Sequence, residues 1–438
     1  MKVAIEIRTE PGLAGGTAPA LRSLIRALGD LDDGPEEYVL VVQAETVDVE
    51  RVREWLGPLA ANQSMVVRWP PGGSPQERSR PMARLKARAR RLVERIAPSA
   101  PKPLTWPTVT LSDGFFESLG CDLLHFPTQY FTLCAAPCVY NPHDLQHLHY
   151  PEFFDVEDLV WREINYPAGC HFAKTVIVNS QWTKNDVVRA YGVDPGKVQV
   201  VPEAPPTQLA GPGAEPDLAA ITARYGLGRP FALSPGVTWP HKNHLRLIEA
   251  IAHLRDHRGL IVDLVCTGAR HDRGWPKIEA RIAQLSLGDQ VKFVGFVPEE
   301  DLRGLYRLAK CLVLPSLFEA NSLPVFEAWL EGAPVASSDH TAMPEQVGEA
   351  GLLFDPMDPV AIAATLERLF TDAQLCADLR EKGLARAATF NWTQTAKAYR
   401  AVYRRAAGRT LTEEDRFLLA SDWMSQSGTP ARGVRETA

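Results

Sequence analysis

Short continuous apolar runs recur along the chain and alternate with stretches whose apolar residues return every three or four positions. In the first half the runs are Val3–Ile7, Tyr38–Val42, Leu123–Phe126, Cys138–Tyr140 and Thr175–Val178. After Val3–Ile7 come the turn residues Pro11, Gly12, Gly15 and Gly16, then a helical pattern from Pro19 to Leu31. Runs apolar throughout rather than at alternate positions predict parallel strands covered on both faces, and the intervening periodicity supplies the covering helices. Between Pro202 and Pro230 the pattern lapses into prolines and glycines, which predicts a linker. It resumes with Phe231–Ser234, Ile261–Val265, Val291–Val294, Cys311–Leu314 and Pro334–Ala336, with a helix over Leu245–Arg255. The expectation is therefore α/β: an N-terminal domain over 1–205, a linker over 206–229, a C-terminal domain over 230–390, and helices with a tail over 391–438. The helix Thr393–Arg405 is expected to cross back to the first domain, and the polar stretch after Trp423 to fray. Ligands of such sheets lie beyond the carboxyl ends of the strands, so the expected site is a cleft between the domains.

Charge and composition narrow the class. A net charge of -6 argues against a nucleic-acid binder, which relies on basic surface and counterion release. No run of 18 or more apolar residues is present to span a bilayer, and the start is too short and charged for a signal peptide. The seven cysteines are scattered and odd in number, which reads as reduced thiols of a cytoplasmic protein. One stretch departs from the acidic balance. Arg78, Arg80, Arg84, Lys86, Arg88, Arg90, Arg91 and Arg95 interleave with apolar residues at helical spacing. A basic amphipathic helix over 78–96 fits peripheral contact with an anionic membrane at its inner face, or equally a solvated helix packed on its own core.

The candidate chemistry centres on residues 315–328, Pro-Ser-Leu-Phe-Glu-Ala-Asn-Ser-Leu-Pro-Val-Phe-Glu-Ala. Seven residues separate Glu319, just after an apolar strand, from Glu327 on the following helix. Asn321, Ser322 and Leu323 stand at that helix's N-terminus, where backbone N–H groups favour anions such as a diphosphate. Two glutamates at this spacing also occur on solvated helices, but the proline and turn residues between them argue against a simple helix face. The segment resembles the E-x7-E motif of retaining GT-B glycosyltransferases of family 4. Trp239-Pro240-His241-Lys242-Asn243, Phe293-Val294-Gly295-Phe296-Val297, Gly332-Ala333-Pro334-Val335-Ala336, Phe354-Asp355-Pro356 and Phe390-Asn391-Trp392 follow the same order. The resemblance spans about residues 1–405 and is strongest in the second domain. It implies two Rossmann-like domains facing each other across a cleft, a nucleoside diphosphate sugar as donor, a glycan or lipid-linked acceptor, and no cofactor or metal. It further implies that Glu319 contacts the transferred sugar, Glu327 the nucleotide ribose, and Lys242-Asn243 the donor phosphates. A fixed cation and aligned N–H dipoles stabilise the charge that grows on the leaving diphosphate. Gly236, His241, Val297, Asn321, Ser322 and Leu323 complete the donor-binding set. Two positions depart from the family pattern. Ala320-Asn321-Ser322 replaces Gly-Phe-Gly, so Asn321 is expected to offer its side-chain amide. Gly236 and Val237 stand where many members carry a phosphate-binding arginine.

In the first domain, Gly15 and Gly16 match a family glycine pair near the donor phosphates or the acceptor. His143 follows the strand-like Val139-Tyr140 and matches the active-centre histidine. With His147 and His149 close by, a metal site or purely structural histidines are the competing readings. Ser180 reads as a helix N-cap. The function implied is retaining hexosyl transfer in cell-surface polysaccharide or glycoconjugate synthesis. A nucleotide-sugar epimerase and a non-catalytic partner subunit on the same fold are the alternatives.

Overall fold

The computed structural model describes residues 1–10, 16–70, 108–205 and 215–423. The glycine turn at 11–15, the basic segment 78–96 and the end of the tail lie outside the described residues. The first half contributes β1 (Lys2–Ile7), β2 (Glu37–Gln43), β3 (Gln63–Arg68), β4 (Thr110–Leu111), β5 (Leu123–Phe126), β6 (Thr132–Leu133), β7 (Cys138–Tyr140), β8 (Thr175–Val178) and β9 (Val198–Val200). Seven of these form one sheet in the order β3-β2-β1-β5-β7-β8-β9, and β4 and β6 make a small parallel pair beside it. The second half contributes β10 (Phe231–Pro235), β11 (Asp263–Thr267), β12 (Val291–Gly295), β13 (Cys311–Leu314), β14 (Val335–Ser338) and β15 (Leu352–Phe354). They form a sheet in the order β12-β11-β10-β13-β14-β15, parallel throughout. This is the doubly wound order, in which the chain runs outward in one direction, returns to the centre and runs out in the other.

The strand order sets where ligands can bind. Succession reverses between β1 and β5 in the first sheet and between β10 and β13 in the second. At each reversal the two loops leaving the carboxyl ends diverge and open a crevice. Two compact units emerge from the packing. The first comprises Met1–Pro142, Asp155–Val176 and Arg400–Thr412; the second comprises His143–Phe154, Ile177–Tyr399 and Glu413–Ala438.

In the first unit, Val3, Ile5, Ile7, Val39, Val41, Leu124 and Phe126 are buried, as continuous apolar strands require. The helix Val156–Phe172 lies close on β7 because Gly169 has no side chain. A Cβ there would sit 2.5 Å from the Tyr140 ring. The helix Trp392–Ala406 ends in this unit, where Tyr403 Oη bonds His125 Nδ1 at 2.8 Å and Arg404 holds Glu36 through paired 2.9 Å contacts. His125 is buried and its Nε2 meets Asn141 Oδ1 at 3.0 Å, so both ring nitrogens are satisfied.

In the second unit, Leu247, Ile248, Ile251, Leu264, Cys266, Val313, Ile362 and Leu366 form the centre of the core. The expected linker 206–229 holds more structure than its composition implied. Leu218–Tyr225 is a helix, capped by the Asp217 side chain accepting from Ala220 N and ended by Gly226 in the left-handed region. Its buried Ile221 packs over Gly304, where a Cβ would come within 2.3 Å of the Ile221 methyl. The strand expected over Ile261–Val265 is shifted to Asp263–Thr267, because pairing with β10 starts at Phe231↔Asp263.

Candidate functional site

The reversal between β10 and β13 gathers most of the residues singled out in the sequence. Leaving β10, the chain passes Gly236, whose φ of +131° is open to glycine and strained for other residues. Gly268 on the next loop packs against it so tightly that a Cβ would fall 2.5 Å from the Gly236 carbonyl. The glycine at the arginine position is therefore demanded by the backbone. A short turn, Pro240–Lys242, then carries the lysine into the helix His244–Arg258.

Asn243 joins this turn to its surroundings. It is buried at φ +57°, and its amide donates to the Pro315 carbonyl at 3.0 Å and the Pro356 carbonyl at 2.7 Å. Its amide oxygen accepts from Arg246 Nη1 at 3.1 Å. The side chain expected at the donor phosphates is thus engaged in pinning three segments together. Leu317 N donates to the His241 carbonyl at 2.8 Å and closes the gap between the two loops.

On that frame Lys242 Nζ meets Glu319 Oε1 at 2.6 Å, with side-chain exposures of only 19% and 10%. Bulk solvent screens such a pair far less than a surface one. Burial and the neighbouring ammonium of Lys242 hold His241 well below the usual imidazole range and His244 down to about 4. Both histidines are neutral near pH 7, and Lys242 is the charged group of the turn. Glu319 is fixed through its backbone. Its N–H donates to Thr341 Oγ1 at 3.1 Å, and that hydroxyl donates to the Glu319 carbonyl at 2.7 Å. Thr341 holds a φ of +55°, unusual for a β-branched residue.

The helix Leu323–Leu330 starts beyond Glu319. Ser322 N–H donates to Gln346 Oε1 at 2.8 Å, and Gln346 Nε2 returns a bond to the Ser322 carbonyl. With that N–H occupied and Pro324 lacking one, Asn321 and Leu323 are the backbone donors of the turn. The Asn321 amide donates to Glu203 Oε2 at 2.8 Å. Glu327, four residues into the helix, accepts from Tyr306 Oη at 2.6 Å, and burial raises its carboxyl above the usual range. Tyr306 is fully buried.

Glu203, Asn179, Thr341, Tyr306 and Gln346 were not foreseen as site residues. Glu203 is the most consequential of them. Its carboxylate takes bonds from Asn179 and Asn321, burial pushes it up, and His143 opposes that push. His143 has a φ of +64°, so a strained backbone aims it. Glu203 stood inside the proline-rich Pro202-Glu203-Ala204-Pro205 stretch that reads as linker, and a carboxylate among turn residues carries no periodic signal.

The neighbouring histidines have other partners. His149 Nε2 lies 2.8 Å from Asp186 Oδ2 and its ring packs against Trp182 and Phe318; His147 is buried near Tyr191. Among the described residues the grouping able to hold a metal ion is Asp339, His340 and Asp355, and it uses none of these three. Ser180 caps its helix, accepting from Thr183 N. Gly16 is exposed at the start of the helix Thr17–Gly29, and Gly15 lies outside the described residues. Val297 is buried behind Gly295 (φ +77°), while Phe296 between them is 89% exposed.

The chain resembles known proteins in sequence and in fold. Residues 223–386 match the model of the glycosyl transferases group 1, and residues 50–208 that of glycosyltransferase family 4. The chain is 28% identical over 286 residues to the O-antigen chain mannosyltransferase B of Escherichia coli, covering 64% of this chain and 74% of that one. It is 30% identical over 283 residues to the D-inositol 3-phosphate glycosyltransferase of Corynebacterium glutamicum, covering 62% and 67%. Among solved structures, Anabaena Alr3699/HepE in complex with UDP and glucose superposes with a TM-score of 0.65 at 18% identity, over 92% of this chain and all of that one. Sucrose-phosphate synthase from Thermosynechococcus elongatus gives 0.65 at 21% identity, over 92% and 98%. The fold is that of the GT-B enzymes, and the chain belongs to the group 1 glycosyl transferases.

Proposed function

We propose that this glycosyltransferase moves a hexose, with retention of anomeric configuration, from a nucleoside diphosphate sugar to a hydroxyl of a glycan or lipid-linked acceptor in cell-surface polysaccharide assembly. The observation that carries the reading is the shielded Lys242–Glu319 pair at the reversal between β10 and β13. An ammonium held there faces the diphosphate, and a carboxylate beside it faces the hydroxyls of the attached sugar. As the bond from C1 to the phosphate oxygen breaks, charge grows on the leaving diphosphate, and Lys242 with the N–H groups of Asn321 and Leu323 offsets it. The acceptor oxygen bonds C1 from the same face, and its proton passes to the leaving phosphate oxygen. This chemistry asks neither for a protein nucleophile nor for a metal ion. Glu327 receives the ribose hydroxyls, and His143, steadied by Glu203, stands at the sugar.

The relatives named as mannosyltransferases favour mannose as the sugar. Structures of Alr3699/HepE with UDP and UDP-glucose support a nucleotide sugar as donor. No helix among the described residues is long and apolar enough to cross a membrane. The basic segment 78–96 would bring the enzyme, as a peripheral protein, to the inner face of an anionic membrane. The test is incubation of the purified protein with UDP- and GDP-linked hexoses, followed by NMR of the released or transferred sugar. Retained anomeric configuration supports the proposal. Inversion, or the appearance of an epimerised donor, overturns it.

A further inference from the structure

The first sheet has its own reversal, between β1 and β5, and a cleft of about 420 Å³ opens among the segments that leave its carboxyl edge. Its lining is Gln129, Tyr130, Glu157, Asp158, Trp161 and Arg162. The first two belong to the loop after β5, and the rest to the first turns of the helix Val156–Phe172, which starts on that edge before running back to β8. Arg8, just beyond β1, places its guanidinium over the Tyr130 ring, 5.0 Å from the centroid, and so ties the two loops of the reversal together. We propose that this cleft binds one neutral sugar ring of the acceptor glycan, a subsite that rests on the transferase reading above.

The chemistry of the lining selects the ligand. Tyr130 and Trp161 stand 4.9 Å apart with rings inclined at 58°, and Tyr130 is 42% exposed. An aromatic face is electron-rich and attracts the positive edge of C–H groups, which a pyranose presents on its ring faces. Around that platform are the groups that hydroxyls require, acceptors on Glu157 and Asp158 and a planar amide on Gln129. Two residues before Tyr130, the Thr128 hydroxyl is buried with no hydrogen-bond partner among the described residues. The charge disfavours a phosphate. The lining carries two carboxylates against one guanidinium, and that guanidinium is already engaged, with Arg162 Nε 3.1 Å from Asp158 Oδ1 and Arg162 Nη1 2.6 Å from Tyr166 Oη; the Arg8 guanidinium beside Tyr130 is in turn paired with Glu6 Oε2 at 3.0 Å. Position counts as well. Another cleft, of about 370 Å³, includes Phe231, the first residue of β10, and so lies at the amino edge of its sheet, where ligands of doubly wound folds do not bind.

The experiment uses the full chain and three neutral trisaccharides, α-linked mannotriose, maltotriose and chitotriose, with mannose 6-phosphate as the anionic probe. Saturation-transfer NMR and calorimetry are expected to detect at least one trisaccharide on the wild type and to rank it above mannose 6-phosphate. Trp161→Ala and Tyr130→Ala should weaken that ligand about tenfold, the scale of one lost stacking contact. Tyr130→Phe, which keeps the ring, should bind like the wild type. In turnover the alanine variants should raise KM for acceptor with kcat at saturation little changed. Unchanged trisaccharide affinity in both alanine variants, no trisaccharide bound to the wild type, or preference for the sugar phosphate would each overturn the subsite. Donor hydrolysis without acceptor separates this failure from that of the transferase reading. Hydrolysis that persists in wild type and variants leaves the transferase standing, whereas its absence from the wild type removes the premise.

Discussion

The two reversals share a topology and differ in chemistry. Between β10 and β13 the crevice is walled by backbone under tight constraint: Gly236 against Gly268, buried Asn243 bonded to two proline carbonyls, and Thr341 held in the left-handed region. It holds a shielded ion pair, Lys242 with Glu319. Beside the β1–β5 reversal the wall is made of half-buried and exposed side chains from the loop after β5 and the helix Val156–Phe172, an aromatic pair with carboxylates and an amide around it. A diphosphate presents the same shape and charge whatever sugar it carries, so rigid backbone and a fixed cation suit it. Acceptor glycans vary, and a surface of replaceable side chains can be altered without disturbing the sheet beneath.

The largest expected effect breaks the polar side of this contrast. Glu319→Gln removes the negative charge beside Lys242 and keeps the shape. Turnover should fall by about 10²–10³, the loss seen when one group aimed at a transition state is removed. Affinity for the nucleoside diphosphate should hold or rise, because the ammonium then faces the phosphates without a competing carboxylate. Steady-state kinetics with a parallel calorimetric titration checks both halves, and equal losses in turnover and in nucleotide affinity would place Glu319 at the phosphates instead of the sugar. Lys242→Ala comes next. It should weaken nucleoside diphosphate binding by about tenfold or more, on the scale of a charge-assisted hydrogen bond, and lower turnover as well. A nucleoside, lacking phosphates, should bind the variant and the wild type alike. The Trp161 and Tyr130 substitutions fall below these, because they act on acceptor KM alone.

The same contrast explains what could be read from the sequence. Both doubly wound sheets were visible, since apolar strands and helical periodicity are local signals. The two-residue strands β4 and β6 are too short to carry a pattern, and β3 (Gln-Ser-Met-Val-Val-Arg) is half polar because it lies at the sheet edge. The motif positions Lys242, Glu319 and Glu327 were legible because residue type and spacing suffice. Which partner each side chain takes was not. Asn243 looked like a phosphate ligand and turned out to be bonded to Pro315 and Pro356, since nothing in a lysine–asparagine pair tells which of the two faces inward. Gln346 and Thr341 reach the motif from the loop and helix after β14, and Glu203 from a proline-rich turn; such contacts depend on distant chain segments meeting. The aromatic cleft was missed for the same reason, because Tyr130 and Trp161 are 31 positions apart with two strands between them.

The smallest effect sharpens the comparison by titrating the polar crevice. Burial holds the Glu327 carboxyl above its ordinary range, the Glu299 carboxylate adds to that push, and the Tyr306 hydroxyl opposes it. A ribose diol needs the ionised form as acceptor, so nucleotide affinity should decline as pH falls through the raised value. Tyr306→Phe deletes the opposing bond and should move that decline to higher pH, leaving affinity a few-fold weaker near neutrality. The stability effect has the opposite sign. A carboxyl whose folded value lies above its unfolded one binds more protons when folded. Its contribution is therefore fully present below the unfolded value, about 4.3, and is lost as pH rises through the folded one. Glu327→Gln carries no such titration. Its melting temperature relative to wild type should climb with pH across that window and level off above it. Calorimetric Kd values and thermal melts of the three proteins between about pH 4 and 8 read both slopes. If nucleotide affinity in Tyr306→Phe follows the wild-type curve at every pH, Glu327 is not the group that meets the ribose.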